Sequence, residues 1–252
     1  MLSFLGASET VVETIDSAAS CTKLHHFDYV EIGTSSFNTL VQQPGADGQR
    51  GLSVDAMLLH LNKLPDKEGN TKVHAAIGAT SGNTTVYYVD PDDIQKHRLP
   101  TWLRGCNMLG RPHPLPARVL HEKQLDHLMR SAPVRIATIA ELVARFCVRS
   151  IGFLKVDTEG FDTQIVQSLL DMLAQRAVLR PRSLMYEANW LDAERQGVMR
   201  AINRQLVLDY GYNHSWSPHP DLRVSLKEGR VVRQGGAPQQ PGAPTDESVK
   251  RS

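Results

Sequence analysis

The sequence has no appreciable surplus of charge of either sign. Among its 252 residues, 28 Lys and Arg are balanced by 27 Asp and Glu, which leaves a formal net charge of +1. A chain with so little net charge has no long-range field that would attract nucleic acid or an anionic membrane. Composition therefore gives no reason to expect a nucleic-acid or membrane partner.

Cysteine and long apolar runs are scarce as well. Cys21, Cys106 and Cys147 are widely spaced and odd in number, so they indicate neither a disulfide framework nor a zinc site of paired cysteines. This favours a reducing compartment. The N-terminal stretch has no basic segment of the kind found in secretory signals, and no later run is long enough to span a bilayer. We therefore expect a cytoplasmic protein.

The sequence does contain enough apolar material for a large core. Hydrophobic residues make up 41% and charged residues 22%, as in folded globular domains. Short β-branched runs alternate with helical patterns, which predicts an α/β fold with a mostly parallel sheet. Strands are predicted over residues 29–33, 51–55, 72–77, 84–89, 151–157 and 183–187.

Helices are predicted between these strands. Leu58, Leu61 and Leu64 indicate a short helix, and Thr138 with Glu141 fits a capping box that begins another. An apolar stripe over residues 165–173 predicts a third helix, and residues 193–209 predict a fourth that ends at Gly211.

We interpret residues 1–233 as a single domain. Residues 90–118 read as a long proline-rich loop without regular structure, and residues 222–232 as a hairpin around Glu228 and Gly229. Residues 234–252 are rich in Gly, Pro and Gln, which predicts a disordered C-terminal tail.

Polar or small residues lie at the carboxyl ends of the predicted parallel strands, where open α/β sheets bind their ligands. They are Glu31, Gly33, Thr34 and Ser35 at the first strand, Asp55 at the second, Ala75 and Ala76 at the third, Lys155, Asp157 and Glu159 at the fourth, and Glu187 and Asn189 at the fifth. We expect these residues to converge on one edge of the sheet, where the two alanines would let a flat ring lie close.

Asp55 is the best single candidate for a ligand-binding residue. It lies about 20 residues after Gly33, at the place where an acid following the second strand accepts hydrogen bonds from ribose hydroxyls. The alternative is that Asp55 only caps the following helix.

Glu31 suggests the charge of the ligand. The turn after the first strand has Gly33 but not the three glycines of a dinucleotide site, and Glu31 would repel a pyrophosphate. Glu31 suits a positive centre such as the sulfonium and ammonium of S-adenosylmethionine, whose carboxylate could accept from N–H groups near Thr34 and Ser35. The alternative is a structural acid that bonds a neighbouring loop.

Lys155, Asp157 and Glu159 place three charges at the end of a buried strand. Unpaired charges are costly in such a place, so these residues must pair with one another or meet a ligand. Both an internal ion pair and an acid/base or metal cluster fit this pattern.

The chain resembles the FkbM family of S-adenosylmethionine-dependent methyltransferases. The resemblance rests on residues 29–33, on Gly51–Asp55 and above all on residues 153–162, FLKVDTEGFD, which are similar to the family signature K-[IV]-D-x-E-G-x-[ED]. It departs from the family at Phe37, where a second glycine is usual, and at Asp55-Ala56, where Glu-Pro is usual.

The resemblance implies a class I, Rossmann-like methyltransferase fold with a seven-stranded sheet and helices on both faces. It implies S-adenosyl-L-methionine held by Glu31, Gly33 and Asp55, with Asp157 at the methyl-transfer edge. It also implies O-methylation of a small-molecule or saccharide-like acceptor.

Roles for further residues follow as hypotheses. Asp157 is the candidate base, and Lys155 would orient Asp157, Glu159 or an acidic substrate. Glu187 and Asn189 would line the acceptor pocket. Residues 90–118 would form a substrate lid through Trp102, Arg104 and Asn107, the alternative being a structural excursion with Trp102 packed on the core.

Two other functions remain open. Asp157, Glu159 and Glu187 could coordinate Mg²⁺ for phosphoester hydrolysis or a metal-assisted transfer. Phe37 could instead mark a methyltransferase fold that survives as a binding module without a cofactor. No spacing of histidines or cysteines predicts a metal, and the histidines at positions 25, 26, 60, 74, 121 and 127 are expected on the surface.

Overall fold

A computed structural model describes residues 12–15, 20–35, 39–175, 179–187, 196–216 and 221–226. For residues 196, 214–216 and 221–226 only the backbone is described. The expectations for Phe37, for Asn189, for the turn at Glu228 and Gly229 and for the tail 234–252 therefore lie outside the described residues.

The described chain contains twelve strands, six α-helices and three short 3₁₀ helices. The strands are β1 (Val12–Glu13), β2 (His25–Ile32), β3 (Gly51–Asp55), β4 (Asn70–His74), β5 (Ala76–Gly78), β6 (Gly82–Val89), β7 (Met108–Leu109), β8 (Met129–Thr138), β9 (Val148–Val156), β10 (Ser183–Glu187), β11 (Tyr212–Trp216) and β12 (Asp221–Leu226). The α-helices are α1 (Leu58–Leu61), α2 (Pro91–Lys96), α3 (Pro114–Glu122), α4 (Ile139–Arg145), α5 (Asp162–Gln175) and α6 (Gln196–Leu208), and the 3₁₀ helices are Leu40–Gln42, Thr101–Arg104 and Asp126–Leu128.

The larger sheet confirms the α/β prediction. Its order is β1-β4-β3-β2-β9-β10-β12-β11, and the first six of these strands run parallel to their neighbours. From β2 the chain moves outward through β3 to β4, and it later returns to place β9 and then β10 on the other side of β2. The strands β4-β3-β2-β9-β10 thus follow the order 3-2-1-4-5, which is the first part of the doubly wound order 3-2-1-4-5-6. The switch point of this order lies between β2 and β9.

The sheet has eight described strands where seven were expected. The difference is β1, a two-residue strand that pairs with β4 at the edge. At the other end, β11 and β12 form an antiparallel pair. Of the hairpin expected over 222–232, the described part belongs to β12, which pairs with β11 and β10, and the rest lies outside the described residues.

Apolar side chains cover both faces of the larger sheet. Val30 and Ile32 of β2 belong to the main core together with apolar residues of α4, α5 and α6. Tyr29 packs with Leu61 at the end of α1, with Leu64 just after it and with Val41 of the first 3₁₀ helix. Because alternate residues of a strand face opposite sides, helical segments lie on both faces of this sheet.

The structure contains a second sheet of four strands, of which only β7 lies within the segment 90–118 that was expected to be irregular. It has the order β5-β8-β6-β7, and α2, α3 and the 3₁₀ helix Thr101–Arg104 lie between β6 and β8 in the chain. The predicted strand over 72–77 is divided at Ala75, so that β4 joins the first sheet and β5 the second.

The loop prediction for residues 90–118 is wrong because its prolines begin helices. Pro91 and Pro114 stand in the first turns of α2 and α3, where the amide hydrogen that proline lacks has no partner within the helix. Asp90 and His113 cap these helices by accepting from the N–H groups of Asp92 and Leu115.

The structure contains a disulfide between Cys21 and Cys147 that the cysteine spacing did not predict. The two residues are 126 positions apart in sequence. They meet because His25 near the start of β2 pairs with Val148 at the start of β9. Disulfides persist mainly in oxidising compartments, so this bond counts against the reducing compartment that we expected. The cytoplasmic location stays a prediction.

The helices of the described chain include none with the length and apolar character needed to cross a bilayer.

Candidate functional site

A cavity of about 270 Å³ opens at the carboxyl ends of the parallel strands. One wall comes from the ends of β2, β3, β9 and β10, and the facing wall comes from β5, β6 and β7 of the second sheet. The cavity therefore lies at the switch point of the larger sheet, which is the usual ligand position in doubly wound folds.

Most of the predicted site residues line this cavity. They are Gly33, Ser35, Asp55, Ala75, Ala76, Asn107, Lys155, Asp157, Glu159 and Glu187. Four others that the structure describes are not among the lining residues, namely Glu31, Thr34, Trp102 and Arg104. The prediction that the strand ends converge on one edge of the sheet is thus confirmed for the predicted strand-end residues that line the cavity.

Asp55 organises the turn after β2 as well as facing the cavity. Its Oδ2 accepts from the N–H and the hydroxyl of Thr34 and from the N–H of Ser35, at 2.9 to 3.0 Å. Its Oδ1 accepts from the N–H of Met57 at 2.7 Å, immediately before α1. The structural alternative is therefore present, and the side chain still lines the cavity.

His60 completes the surroundings of Asp55. Its Nδ1 lies 3.5 Å from Asp55 Oδ2, and both side chains are buried. Burial favours the neutral carboxyl, but the hydrogen bond and charge of His60, the N–H of Met57 and the hydroxyl of Thr34 outweigh it and lower the pKa of Asp55. The expectation that His60 lies on the surface is wrong.

Glu31 and Lys155 form a buried ion pair beside the cavity. The two residues are direct neighbours on β2 and β9, and Lys155 Nζ lies 2.9 Å from Glu31 Oε1. Glu31 Oε2 accepts from the N–H of Leu40. Glu31 is therefore a structural acid that bonds a neighbouring segment, as the alternative prediction stated. These contacts hold its carboxylate away from the cavity wall.

Burial governs the ionisation of this pair. It raises the pKa of Glu31 to about 7, although the Lys155 charge opposes the rise. Burial also works against the charged form of Lys155, but the carboxylates of Glu31 and Asp157 outweigh it and raise the lysine pKa. Lys155 Nζ lies 3.5 Å from Asp157 Oδ2, so one ammonium links the buried Glu31 to a carboxylate of the cavity.

Gly33 is required by close packing between the turn after β2 and the end of β9. Its φ is +83°, and a Cβ atom there would lie 1.8 Å from the carbonyl oxygen of Asp157. The Asp157 N–H also donates to the Ile32 carbonyl oxygen at 2.9 Å. The glycine therefore lets Asp157 lie directly against the turn.

Asp162 shapes the loop that carries Asp157 and Glu159. Its carboxylate accepts from the N–H and the hydroxyl of Thr158 and from the N–H of Gly160. Burial, together with the nearby charge of Asp157, raises the pKa of Asp162 to about 7. Glu159 has a φ of +54°, which is unusual for a residue with a side chain and directs the loop away from strand geometry.

Three carboxylates meet at one end of the cavity. One oxygen from each of Asp157, Glu159 and Glu187 lies within 4.8 Å of the other two. Like charges at such distances repel, so this end of the cavity attracts a cation or a proton. The arrangement can hold a divalent metal or a positively charged ligand group.

The three residues that were predicted to form a lid differ in whether they reach the cavity. Asn107 lines the cavity, and its Nδ2 donates to the carbonyl oxygen of Arg104. Trp102 is 44% exposed and Arg104 is also exposed. The structure therefore brings one of the three predicted lid side chains to the site.

Comparison of the chain with family models, with curated proteins and with solved structures found no match.

Several cavity residues were not predicted from the sequence. Met57, His60, Val86 and Leu109 line the wall, and Gly105 lies beside Cys106 at its rim. For Val86 the sequence pattern did offer a signal, because this residue lies in the extra strand predicted over 84–89. The others depend on how the second sheet packs against the first, and no local pattern reports that packing.

Proposed function

We propose that the protein is an S-adenosylmethionine-dependent methyltransferase that methylates a hydroxyl group of a small-molecule or saccharide-like acceptor. The observation that carries this proposal is the cavity at the switch point of a 3-2-1-4-5 sheet, with Gly33, Asp55 and Asp157 together in its wall. The resemblance to the FkbM family remains a prediction that agrees with it.

The residues of the cavity fit the chemistry of this cofactor. Val54, Ala75, Ala76 and Ile77 offer an apolar wall for an adenine ring. Asp55 lies beside this wall. Its Oδ1 has one described donor, Met57, which leaves acceptor capacity for a ribose hydroxyl.

The charge balance of the cavity supports a cationic ligand. Asp55, Asp157, Glu159 and Glu187 contribute carboxylates to the wall, and Lys155 contributes an ammonium. When bound, S-adenosylmethionine supplies an electrophilic methyl group on a sulfonium. We assign Glu31 a supporting role here, because its buried carboxylate pairs with Lys155 and is not part of the cavity wall.

We assign the proton chemistry to Asp157. Its side chain is 40% exposed and faces the cavity, so it can accept the proton of an acceptor hydroxyl. Lys155 fixes the carboxylate from the protein side. Glu187 and Asn107 stand in the same wall and would contact the acceptor.

The proposal is tested by titration calorimetry of the full chain with S-adenosylhomocysteine and S-adenosylmethionine. Ala76→Leu places a larger side chain in the apolar wall, and Ala79→Leu is the matched control on an exposed residue near the same strand. We expect binding to the wild type and to Ala79→Leu, and affinity at least about tenfold weaker for Ala76→Leu. A folded wild-type protein that binds neither compound would overturn the proposal.

A second candidate function is Mg²⁺-dependent catalysis by the three carboxylates. The observation that favours it is the mutual approach of Asp157, Glu159 and Glu187, whose oxygen atoms are the ligand type that Mg²⁺ prefers. Titration with MgCl₂ tests it: this candidate expects saturable binding that Asp157→Asn abolishes, together with activity that a chelator removes. Absence of Mg²⁺ binding excludes it.

A further inference from the structure

Cys106, His113 and Glu159 come together at the rim of the cavity from three separate segments. Cys106 follows the 3₁₀ helix Thr101–Arg104, His113 caps the start of α3, and Glu159 belongs to the loop after β9. One ligand atom from each residue lies within 4.8 Å of the other two. His113 is 2% exposed, and the other two residues are half-buried.

From this geometry we propose that Cys106, His113 and Glu159 bind a divalent transition-metal ion of the zinc class. Thiolate, imidazole and carboxylate are the three ligand types of protein zinc sites. The proposal concerns metal binding alone and does not depend on methyl transfer.

The separations of the ligand atoms suit tetrahedral coordination. His113 Nε2 and Glu159 Oε2 lie 3.4 Å apart. Two ligands at normal zinc–nitrogen and zinc–oxygen distances, set at the tetrahedral angle, lie about 3.4 Å from each other. The Cys106 sulfur lies within 4.8 Å of the other two ligand atoms, and tetrahedral coordination requires it to approach them to about 3.6 Å.

The surroundings of Cys106 explain why a cation would be stabilised there. A Glu159 carboxylate oxygen lies within 4.8 Å of the Cys106 sulfur, and a Glu187 oxygen lies within 4.8 Å of a Glu159 oxygen. The same negative surroundings attract a divalent cation, which deprotonates a coordinating thiol outright.

His113 must change one contact to coordinate. Its Nδ1 accepts from the Leu115 N–H at 3.2 Å, so the neutral ring carries its proton on Nε2, which faces Glu159. Coordination through Nε2 moves that proton to Nδ1, and the Leu115 N–H loses its acceptor. One long hydrogen bond at a helix start is a small loss beside three coordinate bonds.

The ligand types distinguish this site from the three-carboxylate cluster. Glu159 belongs to both groups, but Cys106 and His113 select zinc-class ions, whereas Asp157 and Glu187 suit Mg²⁺ or Ca²⁺. Gly105, Asn107 and Glu159 line the cavity, so a fourth coordination position would face it. Three protein ligands with one open position are typical of catalytic zinc sites.

The test uses the full chain, stripped with a chelator and titrated with Co²⁺ and Zn²⁺. Cobalt reports cysteine ligation directly, because a cobalt–thiolate bond gives a charge-transfer absorption in the near ultraviolet. We expect one equivalent of Co²⁺ to produce this band. Calorimetry should give one Zn²⁺ per chain, displacing the cobalt.

Variants assign the ligands. Cys106→Ser should remove the charge-transfer band and weaken Zn²⁺ binding at least about tenfold, and His113→Asn should weaken it similarly. Asparagine is a good helix cap, so this substitution preserves the start of α3. The matched control is His121→Gln, on an exposed histidine of the same helix, which should change nothing.

Three outcomes would overturn the proposal. They are no cobalt–thiolate band in the wild type, a band that persists in Cys106→Ser, and Zn²⁺ binding that His113→Asn and His121→Gln weaken equally. Circular dichroism of each variant shows whether it is folded. Binding of S-adenosylhomocysteine to the chelator-treated protein is measured separately, so failure of the metal site and failure of the methyltransferase proposal give different results.

Discussion

At the scale of single residues, the acids of the site hold backbone in place as well as facing the cavity. Asp55 binds the turn after β2, and Asp162 binds the loop after β9. The sequence predicted that acids at strand ends matter, because unpaired charges there are costly. It did not predict that Glu31 would be fully buried or that Asp162 would shape the loop, since both depend on which N–H groups lie opposite them.

Asp162 should make stability depend on pH. Its pKa is about 7 in the folded chain against 3.8 for an ordinary aspartate, so the folded state holds the proton more tightly. The unfolding free energy contributed by this group is therefore fully present at low pH and falls as pH rises from about 4 to about 7. We expect Asp162→Asn, which cannot ionise, to lose the part of the pH dependence of the unfolding free energy that Asp162 causes. This part amounts to about 4 kcal/mol at most.

Urea unfolding between pH 5 and pH 8 measures this effect. Asp47→Asn is the control, because Asp47 is an acid whose side chain is 87% exposed and which pairs only at the surface with Lys67. The two variants should differ in the pH dependence of the unfolding free energy. Equal slopes in the wild type and in Asp162→Asn would refute the assignment.

At the scale of elements, the sequence predicted those segments whose signals are local. Gly51–Asp55 and Ser183–Glu187 have the predicted bounds, and the capping box of Thr138 and Glu141 is present at the start of α4. The β-branched runs and the cap each act within a few residues, so a pattern can report them.

Elements that depend on distant partners were missed or misread. The strand β8 was not predicted, and its ladder is formed with β5 and β6, which lie far away in sequence. Pro91 and Pro114 were read as loop residues, yet proline is also favoured in a first helical turn, and only the following residues decide between the two.

The contact between the turn after β2 and the end of β9 gives a prediction at this scale. Gly33→Ala puts a Cβ atom 1.8 Å from the Asp157 carbonyl oxygen, in a left-handed conformation at φ +83°. Gly45→Ala is the matched control: its φ is +87°, and no heavy atom lies within 4 Å of the added Cβ. Both variants carry the conformational strain, of roughly 1 kcal/mol, and only Gly33→Ala adds a backbone collision.

We expect Gly33→Ala to lower the unfolding free energy by at least about 2 kcal/mol more than Gly45→Ala does. Urea unfolding of the two variants, side by side, measures the difference. Similar losses in both would mean that the turn can move away from β9, and the close approach would then have no part in placing Asp157.

At the scale of the whole molecule, the cavity is formed between the two sheets, and no local sequence pattern predicts how they pack against each other. The larger sheet supplies the polar wall, and the second sheet supplies much of the apolar wall through Ala76, Val86 and Leu109. Met57 packs with these three residues in one apolar cluster and so joins α1 to the second sheet. Periodicity predicted most of the larger sheet but, of the second sheet, only β6 and part of β5, and the closure of the second sheet over the site follows from tertiary packing.

The disulfide joins parts of the molecule that are distant in sequence, and its effect should appear in global stability. Closing a loop of 126 residues in the unfolded chain restricts that chain by about 5 kcal/mol in the loop-entropy account. We expect a reducing agent, or the double substitution Cys21→Ser with Cys147→Ser, to lower the melting temperature by several degrees. Cys106→Ser, which leaves the bond intact, should not lower it.

Because the disulfide lies at the amino ends of β2 and β9 and the cavity at their carboxyl ends, binding of S-adenosylhomocysteine should survive reduction at temperatures where the protein stays folded. A melting temperature that is the same with and without reductant would mean that the two cysteines are not joined in solution.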